Sequence, residues 1–191
     1  THYGGGLALN NNQLVDITNS SIGNNFAGNS GGGLYIETSE INFSNLNIIN
    51  NSSGLTGGGI YLNNSTINAS NLNISNNSAD QEGGDTDYGQ GLGGGVFASS
   101  SDLNIDNCSI NSNYANQRGG GLYVVEYSNL NIIDSSVSGN QAKNDVGGAI
   151  ELNRSDGHVE SCVISANSAS NTSGIAVISI STTSPPSFLY T

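Results

Sequence analysis

Few side chains in this sequence can carry acid–base or ionic chemistry. Its 191 residues include three Lys and Arg, 15 Asp and Glu and two His, for a net charge of −12. The cations are Arg118, Lys143 and Arg154. A lyase acting on acidic polysaccharide needs a base to take a proton and cations to hold the uronate. Arg118 and Lys143 precede glycine runs and Arg154 lies in a different turn, so these residues do not gather. A glycosidase needs two opposed carboxylates. Asp102, Asp106, Asp134 and Glu160 are scattered, and His158 stands alone with an outward alternation. A non-enzymatic protein is expected, with no catalytic residue and no resident cofactor.

Two other groups carry candidate chemistry. Asp80, Glu82, Asp85 and Asp87 place four carboxylates in eight residues beside Gly83, Gly84 and Gly89. Such a loop reads as solvated and partly paired with Arg118. The competing reading is a Ca²⁺ site, since hard cations want several oxygens on a flexible loop. The second group is the column Tyr35, Tyr61, Phe97, Tyr123, four aromatics at repeat spacing. Exposed on one face, they would form a ladder able to bind sugar rings or a partner chain. The alternative is that they stabilise the sheet as cross-strand pairs.

Those spacings come from an internal repeat. Glycine triplets occur at Gly4–Gly6, Gly31–Gly33, Gly57–Gly59, Gly93–Gly95 and Gly119–Gly121, continued by Gly147-Gly148-Ala149 and Ser173-Gly174-Ile175. The steps are 27, 26, 36, 26, 28 and 26 residues, the long one carrying an insertion at 80–91. After each run the aromatic column is flanked by two apolar ones. One is Leu7, Leu34, Ile60, Val96, Leu122, Ile150, Ala176; the other is Leu9, Ile36, Leu62, Ala98, Val124, Leu152, Ile178. This is strand alternation, with the flanking columns inward. Two more alternating segments follow, as in Ile41-Asn42-Phe43 and Leu46-Asn47-Ile48. The expected fold is all-β: a parallel β-helix of about seven coils, with a repeat of ~26 residues and three strands per coil, because stacked coils bury the inward columns in one core. A single domain over 1–181 and a Pro-containing tail over 182–191 are expected.

Gly, Asn and Ser make up 88 of the 191 residues, and 35% are hydrophobic. Without the columns this composition would suggest disorder. Asn25, Asn51, Asn77, Asn113, Asn140 and Asn167 fill one column in six repeats, and stacked amides can bond along the axis while Asn tolerates left-handed turns. Two positions on, Ala27, Ser53, Ala79, Ala115, Ala142 and Ala169 are all small, as an inward corner requires. Cys108 and Cys162 share an inward column with Ser135 between them, so two strand spacings separate them, beyond disulfide reach. Two free, buried thiols are expected. Outward Asn42, Asn68, Asn104 and Asn131 form a polar face, and Asn19, Asn63, Asn107 and Asn153 begin glycosylation sequons.

Scarce Lys and Arg exclude nucleic acid and anionic membrane surfaces as partners. No run approaches the ~20 apolar residues of a membrane helix, so direct membrane insertion is not expected. No signal peptide opens the chain, which reads as a mature product or a piece of something longer.

The repeat resembles that of the chlamydial polymorphic outer membrane protein family. Gly147-Gly148-Ala149-Ile150 matches that family's Gly-Gly-Ala-Ile motif. Its Phe-x-x-Asn motif has Ile22, Ile110 and Val137 in place of Phe, before Asn25, Asn113 and Asn140. The resemblance implies a right-handed β-helix in a secreted or cell-surface, adhesin-like protein. Other protein chains or surface glycans are the expected partners, with self-association among them. Two alternatives remain: a filament subunit stacking end to end, and a polysaccharide-binding or polysaccharide-cleaving domain.

Overall fold

Residues after each glycine run alternate apolar and polar, and β-branched and aromatic types dominate them, so they form strands. The computed structural model describes residues 2–80, 91–178 and 188–190, with the backbone alone for 178 and 188–190. All pairings between its strands are parallel, and three sheets run along one axis. The first sheet stacks Leu7–Asn10, Leu34–Glu37, Ile60–Asn63, Val96–Ser99, Leu122–Val125, Ile150–Asn153 and Ile175–Ile178 in sequence order. Among the described residues about six coils stack and a seventh begins.

Three strands per coil hold, but they divide differently from the sequence reading. The second and third alternating segments belong to one sheet, continuous in Val15–Gly23, Glu40–Ile49 and Thr66–Ser75. A left-handed residue bends that sheet in every coil: Asn19, Asn45, Asn71, Asn107, Asp134 and Ser161, at φ 48–54°. The third sheet consists of two-residue strands from Phe26–Ala27 to Ser168–Ala169, at the corner marked by the small residues.

The core is one side chain thick. Leu34, Ile36, Ile41, Ile48, Leu62 and Ile74 are each fully buried. Each such side chain contributes ~1.5–3 kcal/mol by leaving water. The glycine run lets the chain turn against the next coil. Gly57 holds φ +62°, and a Cβ on Gly58 would meet the Gly94 carbonyl oxygen at 2.4 Å. No larger residue fits that spacing.

One expectation fails at the C-terminal end. Ile150 pairs with Ile175 and Leu152 with Val177, so the last strand is shifted by one residue. By register Ile175 and Val177, not Ala176, align with the inward columns, and the last step is 25 residues, while Ala176 is buried and Val177 is exposed. Within the 182–191 tail, Phe188–Tyr190 pairs in parallel with Gly157–Val159 and extends the second sheet. Among the described residues no helix is long and apolar enough to cross a membrane.

Both cysteines are free and align through Ser135. Cys108 is buried, and burial pushes its thiol up. Cys162 is half-buried instead of buried, beside Val163–Ser165, the edge strand of the second sheet among the described residues. Each sulfur donates to the carbonyl two residues back, Asp106 or Glu160, as the Ser135 hydroxyl does to Ile133. Thiol titration of unreduced protein is expected to find two thiols after denaturation, with Cys162 reacting faster in the native state. Finding none would contradict this stacking.

Candidate functional site

Strand alternation turns the aromatic column outward on the first sheet, and register sets its spacing. Tyr35 pairs with Tyr61, Tyr61 with Phe97, and Phe97 with Tyr123. Tyr35 and Tyr61 stack with centroids 4.9 Å apart and planes 4° apart; Tyr61 and Phe97 stack at 5.3 Å and 0°. Phe97 and Tyr123 meet at 5.7 Å, tilted by 59°. Tyr3 extends the ladder, 5.1 Å from Tyr35. Sequence reasoning missed Tyr3 because it precedes the glycine run, while the column position in its coil holds Ala8.

The ladder is less exposed than expected. Tyr35, Tyr61 and Phe97 are half-buried, and Tyr123 is 7% exposed. The stacked rings occupy each other's faces and offer edges and hydroxyls to solvent. Burial and the charge of Glu37, whose carboxylate accepts from the Tyr35 hydroxyl at 3.2 Å, push the Tyr35 phenol up to about 12. Tyr3, 52% exposed, is the most open ring of the five.

Past Tyr123 the column holds Glu151, which is fully buried. Arg118 Nη1 donates to Glu151 Oε1 at 3.0 Å, and Nη2 lies 2.6 Å from Asp145 Oδ2. Glu151 Oε2 has no hydrogen-bond partner among the described residues. Desolvation pushes this carboxyl up to about 7, against the pull of Arg118. Arg118 is held by Asp145 and Glu151; its expected partial pairing with the acidic insertion falls mostly outside the described residues. Of that insertion Asp80 is described, its N–H donating to the Ser53 carbonyl. Glu82, Asp85 and Asp87 lie outside the described residues. Among the described residues no three His, Cys, Asp or Glu side chains converge as metal ligands.

The asparagine column forms the ladder its spacing predicts. Nδ2 donates from Asn25 to Asn51, Asn51 to Asn77, Asn77 to Asn113, Asn113 to Asn140 and Asn140 to Asn167, at 3.0–3.1 Å. The left-handed residue is not the ladder asparagine but the one before it: Asn24, Asn50, Asn76, Ser112, Gly139 and Ala166. The turn is made there, which frees the ladder amide to point inward.

Further polar columns also form hydrogen-bonded ladders. On the outer face Asn104 donates to Asn68, Asn68 to Asn42 and Asn42 to Asp16. At the bend Asn107 donates to Asn71, Asn71 to Asn45 and Asn45 to Asn19, engaging two of the sequon asparagines. Between the first and second sheets Ser39, Ser65, Ser101, Ser128 and Ser155 are buried, each hydroxyl accepting from the backbone N–H of the preceding coil. His158 contacts Glu160 at 3.1 Å on the exposed face.

The family model describing the right-handed β-helix region matches residues 2–185. The chain belongs to the right-handed β-helix family. No curated protein and no solved structure matches this β-helix chain significantly.

Proposed function

We propose that this β-helix is a non-enzymatic structural and adhesive module of a secreted or cell-surface protein, and that its aromatic ladder contacts glycans or partner chains. The observation that carries the reading is the continuous ring column, held at fixed spacing on a rigid axis and bordered by solvent along Tyr3, Tyr35, Tyr61 and Phe97. A fixed row of ring edges and hydroxyls suits repeated weak contacts, which gain strength through multivalency. Resemblance to the chlamydial surface repeats supports an extracellular or cell-surface location. The net charge of −12 supports partners other than nucleic acid and anionic membranes. The 80–91 insertion is read as a solvated acidic loop, with Ca²⁺ binding as its alternative.

The test is replacement of Tyr61 and Phe97 by alanine, followed by measurement of cell adhesion and self-association. Both activities are expected to fall while the circular dichroism spectrum stays that of the β-helix. Unchanged adhesion and self-association would leave the ladder with a stabilising role alone.

A further inference from the structure

The turn between the first and second sheets varies in length. The chain passes through a single left-handed residue in five coils, at Asn11, Thr38, Asn64, Ser100 and Arg154. A ladder serine follows the last four; in the first coil Asn12 follows Asn11 and the turn is one residue longer. The fifth coil also has one residue more, and there two residues in a row, Glu126 and Tyr127, are left-handed, at φ 55° and 61°. A bulky side chain there is an outlier, costly because its Cβ crowds the carbonyl. The serine ladder absorbs the extra residue. The Ser128 hydroxyl donates to the carbonyl three residues back, Val125, where Ser39, Ser65, Ser101 and Ser155 reach two residues back. Ser101 N–H still donates to Ser128, and Ser128 N–H to Ser155. The bulge therefore goes outward, leaving Tyr127 78% exposed.

Along the same row of turns lies a groove of about 380 Å³, reaching from the first coil to the fourth. Hydroxyls and amides of Thr38, Asn64, Thr66 and Ser100 line it. Its one lining carboxylate, Asp102, accepts from Asn129 Nδ2 at 2.7 Å. The groove runs up to the bulge, since Ser100 donates through both N–H and Oγ to the Glu126 carbonyl.

We propose that the groove and the Tyr127 ring together bind an uncharged oligosaccharide lying along the helix axis. Sugar hydroxyls match a lining of hydroxyls and amides, and an open ring offers a platform for the apolar face of a pyranose. A net charge of −12 opposes anionic glycans. An extended peptide has no edge to join here, because the flanking strands are already paired on both sides. This site is separate from the aromatic ladder and stands or falls apart from it.

The test is NMR titration or affinity electrophoresis of the chain with neutral cello-, xylo- and chito-oligosaccharides. At least one series is expected to bind and to shift the amides of 38, 64, 100 and 127. Tyr127→Ala is expected to weaken that binding about tenfold, and Tyr127→Phe to keep it. Deleting Tyr127 restores the turn length of the second, third, fourth and sixth coils, so that variant is expected to stay folded and lose binding. Amide shifts confined to the ladder strands at 35, 61 and 97 would place the binding on the aromatic ladder instead and overturn this site. Absence of binding by all three series, or equal binding by the deletion variant, would overturn the proposal.

Discussion

Replacing Asn77 by alanine is expected to destabilise the solenoid by about 3–5 kcal/mol. Asn77 is 1% exposed in the third coil. Its Oδ1 accepts from both the backbone N–H and Nδ2 of Asn51, at 2.9 and 3.1 Å. Its Nδ2 donates to the Ile48 carbonyl at 2.9 Å and to Asn113 Oδ1 at 3.0 Å. Truncation strands the Asn51 N–H and the Ile48 carbonyl where water is absent, and buried groups left unpaired cost more than the bonds gained when they were made. Asn104→Ala removes a link from the outer ladder, where water replaces it, and is expected to stay within about 0.5 kcal/mol. Urea denaturation of both variants measures the contrast. Coils contact only their neighbours, so amide exchange in Asn77→Ala is expected to rise first in the second and third coils. Equal loss in both variants would remove burial as the source of the ladder's strength.

The second large effect is a reversed pH dependence at Glu151. Its carboxyl sits at about 7 in the folded chain, against 4.5 when free. The folded state therefore binds the proton more tightly than the unfolded state. The stabilisation is fully present below pH 4.5 and is lost as pH rises through about 7. Arg118 and Asp145 are the charges facing this group, and Tyr123 lies beside it. Glu151→Gln keeps an acceptor for Arg118 and removes the buried charge. It is expected to be more stable than the parent at pH 8, by at most about 3 kcal/mol, and to match it near pH 5. Paired urea midpoints at the two pH values measure the difference. A gap independent of pH would mean that Glu151 does not titrate in this range.

Much of the architecture is legible because a solenoid repeats its environment. Leu34, Ile60, Val96, Leu122 and Ile150 face the same core, so they read as a column. Asn51, Asn77, Asn113 and Asn140 meet identical neighbours, so their ladder reads directly from spacing. Several failures fall where the environment ceases to repeat. The last coil loses a residue between Gly148 and Ile175, and a degenerate Ser-Gly-Ile gives no anchor for the register. Tyr3 joins the aromatic ladder from the wrong side of its glycine run. Tyr127 looks like one more turn residue until the unbroken serine ladder on either side shows that it has been pushed out.

The sequence by itself determined the coil: its period, its inward columns, its glycine turns and the amides stacked along it. Those follow from local alternation and from contacts between positions one repeat apart. Tertiary structure alone decided where the charges and rings end up. Lone residues such as Arg118, Asp145 and Glu151 have no column to announce them, and the parallel register joins them across 33 residues of chain. The same register set the tyrosines face to face, which turned a row expected to be open into a half-buried stack. Burial and pairing of unrepeated side chains depend on which turns cover them, and spacing along the chain does not carry that information.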